Sequence, residues 1–188
     1  FMTAPATTLR QDIKVMSLVG AAHWASHFFQ LVLPALFLFL RDDFQVSFAA
    51  LGLLTTLLYG ASGLAQTPAG FLVDRFGART VLLSGLTLAS VATLAVGLAP
   101  SYGFLVPLAI LAGLGNSVFH PADLAILTSK VSPHRLGRGY ATHALCGNLG
   151  WAAAPILMIG LAEMWDWRVA IMSAGIIGLA IVTAFLIW

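Results

Sequence analysis

Apolar residues fill this chain in six long stretches, separated by short polar breaks. A bilayer crossing takes about 20 apolar residues, and lipid gives backbone groups no partners outside the segment, so each stretch predicts a membrane-spanning helix. The spans fall roughly at residues 14–40, 47–71, 79–98, 104–129, 140–162 and 168–188. Residues 1–13, with Pro5, Thr7, Thr8, Arg10 and Asp12, predict a mobile tail. Arg41-Asp42-Asp43 predicts a tight loop, Pro100-Ser101-Tyr102-Gly103 a turn, and Lys130 to Gly139 a basic loop. Glu163 to Trp167 is a short break with two tryptophans, at the depth where aromatic rings favour the membrane interface.

Polar residues inside the spans are unevenly placed. In span 1, His23, His27 and Gln30 recur at i, i+4 and i+7, on one helix face. In span 2, Thr55, Tyr59, Ser62 and Gln66 follow the same rule. In span 4, Asn116, His120 and Asp123 do so again. Span 5 carries His143 near one end and Asn148 on another side, while spans 3 and 6 hold only scattered Ser and Thr. Such stripes must face protein or water, and an ionised Asp at mid-membrane costs about 2.5–3.5 kcal/mol on insertion scales. The pattern predicts a water-accessible cavity between spans 1, 2, 4 and, in part, 5. His23, His27, Gln30, Tyr59, Gln66, Asn116, His120, Asp123 and His143 are its candidate solute and proton pathway. Histidine changes charge near neutral pH, as a proton-coupled step requires.

Each residue also has a plainer reading. His143 can snorkel to the surface, and Tyr59 and Gln66 can bond helix to helix. Metal ligation by the histidines and Asp123 is the weaker reading, because the groups come from separate helices and their distances are not given by sequence. No metal and no cofactor are therefore expected. Pro121 removes a backbone donor and frees the carbonyl of Ser117, which predicts a kink. Gly147, Gly150 and Ala154 form a small-residue face for close helix approach, and Pro155 bends span 5. Ordinary helix packing explains these positions equally well.

Composition agrees with lipid as the solvent. The 188 residues are 60% hydrophobic and 9% charged, with a mean hydropathy of +0.95, where soluble domains carry about 25% charged residues. Six spans leave no length for a soluble domain, and no nucleic-acid partner is expected. A single cysteine, Cys146, excludes an internal disulfide or a cysteine metal cage. The first apolar run is too long for a cleavable signal peptide. Arg10, Lys14, Arg75, Arg79, Lys130, Arg135 and Arg138 fall on one side of the membrane, and only Arg41 and Arg168 on the other. That bias predicts a multi-pass protein of the inner (plasma) membrane with both termini cytoplasmic.

The break between spans 2 and 3 is the most informative stretch. In Gly70-Phe71-Leu72-Val73-Asp74-Arg75-Phe76-Gly77-Ala78-Arg79 the charges sit at a membrane surface. Asp74 can accept from free N–H groups at the start of the next helix. Gly77 supplies a backbone conformation other residues avoid. Arg75 and Arg79 can pair with Asp74 or with lipid phosphate. Gly-x-Leu-x-Asp-Arg-x-Gly-x-Arg resembles the signature loop between helices 2 and 3 of the major facilitator superfamily, with Gly70, Asp74, Arg75, Gly77 and Arg79 at its defining positions. Two further stretches resemble the fosmidomycin-resistance-like exporters: His23-Trp24-Ala25-Ser26-His27 leading to Leu33-Pro34-Ala35-Leu36, and Ser117-Val118-Phe119-His120-Pro121. That group commonly has an acidic residue where this chain has His27. Gly147-x-x-Gly150 with Pro155 only loosely resembles the helix-5 antiporter motif, whose Gly-Pro dipeptide is absent.

The resemblance implies an all-α membrane fold, one six-helix major facilitator half built of two inverted three-helix repeats. It implies a secondary transporter, antiporter-like, moving a small organic solute by alternating access. A second six-helix half is implied as partner, either another copy in a parallel homodimer or a missing carboxy-terminal half. In a dimer, Asp74 and Arg75 are expected to meet the end of span 5 of the partner. The alternative is a non-transporting membrane subunit that stabilises another protein. No enzyme is expected: His-Glu-x-x-His, Gly-x-Ser-x-Gly and a phosphate loop do not occur.

Overall fold

The computed structural model describes residues 8–187, and every long element in it is helical. The helices are α1 (Leu9–Ala35), α2 (Phe37–Phe44), α3 (Phe48–Phe76), α4 (Ala78–Val96), α5 (Tyr102–Asn116), α6 (Phe119–Lys130), α7 (Leu136–Met164) and α8 (Trp167–Ile187). Five apolar helical segments are long enough to cross a membrane, with α5 and α6 counted as one, and the bent pair α1–α2 makes the sixth.

Helix ends follow local chemistry. Thr8 and Gln11 form a reciprocal capping box, so α1 starts at Leu9, earlier than the expected residue 14. Of the stretch expected as a tail, residues 8–13 form the cap and first turn of α1, and residues 1–7 lie outside the described residues. Asp12 shows why the tail is fixed. It is fully buried, accepts from Arg135 Nη1 at 2.6 Å and from the Ser132 N–H at 3.2 Å, and so ties α1 to the start of α7.

Span 1 is broken where a single rod was expected. Pro34 lacks a donor and crowds the preceding turn, and α2 leaves α1 at 46°. Arg41, Asp42 and Asp43 lie inside α2, not in a loop. The chain reverses instead at Gln45, in the left-handed region with φ 53°, and Ser47 caps α3. Span 4 breaks between Asn116 and Phe119, at the carbonyl that Pro121 leaves without a donor. The expected basic loop is short, because Pro133–Arg135 forms a 3-10 turn and α7 begins at Leu136.

Gly77 turns the chain between α3 and α4 with φ 84°, a conformation that a side chain would strain. Asp74 is exposed in the last turn of α3, and α4 starts without a side-chain cap, so the expected capping by Asp74 does not occur. Arg79 Nη2 donates to the Phe185 carbonyl at 2.7 Å, pinning α4 to the end of α8.

The packing is paired. α1 runs along α7, α3 along α5, and α4 along α8. Gly150 of α7 lies against the backbone carbonyl of Trp24, where a Cβ would collide with it. Gly113 of α5 lies in the same way against the carbonyl of Leu58. At the end opposite Arg135, Arg168 pairs with Asp43 at 3.0 Å and donates to the carbonyls of Gly97 and Ala99 at 3.1 and 2.8 Å. Trp167 Nε1 joins the same carboxylate at 3.2 Å. This latch ties the α4–α5 turn and the α2 end to α8.

Candidate functional site

Four of the five histidines gather on one buried carboxylate. Asp123, on α6, has no exposed surface. Its Oδ2 lies 3.1 Å from His143 Nε2 of α7 and 3.5 Å from His23 Nδ1 of α1. The His23 and His143 rings stack at 3.5 Å between centroids and 19° between planes. His27, one turn along α1, is tilted against His23 at 4.3 Å and stacks on Trp151 at 4.2 Å. His120, the turn before Asp123, meets His23 edge-on at 5.2 Å and is the exposed member.

The four imidazoles line an open cavity of about 600 Å³ together with Gln30, Leu124, Tyr140, Ala144, Asn148 and Trp151, and Asp123 is buried behind them. Trp151 Nε1 donates to Gln30 Oε1 at 2.9 Å, which fixes both groups at the wall. The close approach of α1 and α7 makes the cluster possible. Gly147 has both His23 and His27 against it, and a Cβ there would displace their rings. Neither lysine nor arginine lines the cavity. Asp123 Oδ1, His23 Nδ1 and His27 Nδ1 are buried without a hydrogen-bond partner. The imidazoles present lone pairs or N–H donors to the cavity.

The structure therefore brings His23, His27, Gln30, His120, Asp123 and His143 together. It places the other sequence candidates elsewhere. Asn116 accepts from Ser26 Oγ at 2.7 Å and donates to Ser62 Oγ at 3.2 Å, a buried clasp of α1, α5 and α3. Tyr59 lines a separate open cavity of about 710 Å³ with Pro34, Phe37, Gly52, Thr55, Thr56 and Gly60. Gln66 is exposed on α3 and borders neither cavity. His143 is buried, not snorkelling. Sequence reading missed Tyr140 and Trp151. The signal was present: Tyr140, Ala144, Asn148 and Trp151 recur at i, i+4, i+8 and i+11, one face of α7.

The Major Facilitator Superfamily model matches residues 18–188, nearly the whole chain. The chain belongs to the major facilitator superfamily. An uncharacterized MFS-type transporter, YfnC, of Bacillus subtilis (strain 168) is 27% identical over 81% of this chain and 36% of its own length. The fosmidomycin resistance protein of Escherichia coli (strain K12) is 26% identical over 82% of this chain and 38% of its own. The niacin transporter NiaP of Acinetobacter baylyi is 26% identical over 73% and 31%. The chain thus spans about a third of the length of these relatives. It carries one six-helix major facilitator half and resembles the fosmidomycin-resistance group. The family is one of membrane transporters and not of enzymes. Within this half the pairing of α1 with α7 and of α3 with α5 relates the first three spans to the last three, the packing expected of two inverted three-helix repeats.

Proposed function

We propose that this chain is half of a secondary active transporter that moves a small organic solute across the inner membrane by alternating access, coupled to protons. The observation that carries the reading is the convergence of His23, His27, His120 and His143 from three spans on one open cavity, with the buried Asp123 behind His23 and His143. Ionisable groups at membrane depth are costly, and a chain keeps them where a solute or proton passes. A buried carboxylate flanked by imidazoles suits a proton that enters as the solute leaves. The basic bias supports a cytoplasmic side for the Arg75–Arg79 loop and the Arg135 end. A second six-helix unit completes the cavity, as a parallel copy or as a carboxy-terminal half.

The test is proton movement. The protein, with any chain it is joined to, is reconstituted in liposomes holding a pH-sensitive dye. Fosmidomycin and nicotinate are the first probes, taken from the names of the relatives. Solute addition under an imposed pH gradient should move protons, and Asp123→Asn and His120→Ala should each abolish that movement. Unchanged movement in both variants would remove the proposed site.

A further inference from the structure

Three imidazoles of the cavity wall come from three helices: His23 from α1, His120 from α6 and His143 from α7. Each offers one ring nitrogen, and these nitrogens lie within 4.8 Å of one another. Ligands around one tetrahedral zinc are ~3.4 Å apart, given metal–nitrogen distances of about 2.0–2.1 Å. Side-chain shifts of about an ångström or two close that gap. The rings stack and tilt against one another, and among the cluster's groups the hydrogen bond formed is that of His143 to Asp123.

The surroundings suit a cation. Asp123 sits behind two of the three imidazoles, where a carboxylate fixes the orientation of ligating rings. Neither lysine nor arginine lines the cavity to repel a positive ion. Imidazole favours zinc, cobalt, nickel and copper, whereas magnesium and calcium take oxygen ligands. We infer that His23, His120 and His143 form a binding site for a late first-row divalent cation such as Zn²⁺, with Asp123 as its positioning residue. Three protein ligands leave the fourth corner open to the cavity, where an oxygen or nitrogen donor of a solute can complete the coordination.

The experiment uses protein purified from native membranes with any chain it is joined to, carrying a tag free of histidine. Co²⁺ is titrated in and followed by visible absorption. One ion per chain is expected, with the strong visible bands of tetrahedral nitrogen coordination, and Zn²⁺ should displace it. His120→Ala, at the most open of the three ligands, should weaken binding at least tenfold with an unchanged thermal transition. Asp123→Asn should weaken it by about tenfold or more. His134→Ala, exposed and outside the cluster, should change nothing. Binding in His120→Ala equal to that of the unaltered protein would overturn the site. A second measurement needs no variant: Zn²⁺ should shield the cluster histidines from diethyl pyrocarbonate, and unshielded modification would overturn the site equally. Co²⁺ binding without solute-driven proton movement leaves the site and sinks the transport reading. Proton movement without Co²⁺ binding does the reverse.

Discussion

Asp123 holds its position through its neighbours. Its Oδ2 faces two imidazoles, while Oδ1 is buried and unpartnered. An unsatisfied buried polar atom costs about 1–3 kcal/mol. Asp123→Asn keeps the shape and removes the carboxylate, so the folded protein should persist, checked by circular dichroism in detergent. Asp12 is the contrasting case. It is as deeply buried, but it is matched by Arg135 and the Ser132 amide and lies outside the cavity. Asp12→Ala leaves those donors without their acceptor. Because Arg135 is partly exposed and can rehydrate, the loss should be about 1–2 kcal/mol. The measurement is earlier unfolding in a denaturing-detergent titration, with metal binding at the histidines retained.

At the scale of the helix, close approach sets what the site can hold. A Cβ at Gly150 would press into the Trp24 carbonyl, whereas one at Gly160, on the same helix, meets nothing. Gly150→Ala should therefore cost about 1–3 kcal/mol through overpacking, and Gly160→Ala should be neutral or stabilise by up to about 1 kcal/mol. Comparing the two in one unfolding titration separates packing from helix propensity. A Gly150 variant as stable as the parent would mean that α1 and α7 are not held as described. Such approaches explain what could be read from the sequence. The spans, Gly77 and the break beside Pro121 were legible because they depend on local hydropathy and backbone chemistry. The histidine stripes gave the helices of the cavity but not its membership. Asn116 shares a register with His120 and Asp123, yet the break at Ser117 turns it into the clasp with Ser26 and Ser62. Arg41 to Asp43 look like a loop by charge and lie in α2, because the chain turns only after them, at the left-handed Gln45. The latch of Arg168 with Asp43 and the tie of Asp12 to Arg135 join distant segments, and no local pattern announces a contact of that kind.

For the whole molecule, two sparsely covered spans border the cavities. In the most apolar window of α3 only 17% of positions are buried, and in that of α7 22%, against 50% in α4 and in the α5–α6 span. α3 lines the cavity at Tyr59, and α7 lines the histidine cavity. Lipid would tolerate the apolar positions of these faces, but Asn148, Gln66 and Tyr59 on them want polar or aqueous neighbours. The second six-helix unit proposed above, if laid across α3 and α7, would meet that need and enclose both cavities. The relatives, at roughly three times the matched length, have room for such a unit in one chain. Cysteines placed at Asp74 and at Arg138, near the same end of α3 and α7, should cross-link between units in native membranes if the partner is a parallel copy. The product would then run at about twice the 19.8 kDa of this chain. If the partner is instead a carboxy-terminal half, the protein extracted from those membranes should already be larger before any cross-linking. A particle of one chain alone, with α3 and α7 accessible to lipid-phase labels along their length, would leave the cavities open-sided and exclude alternating access by this arrangement.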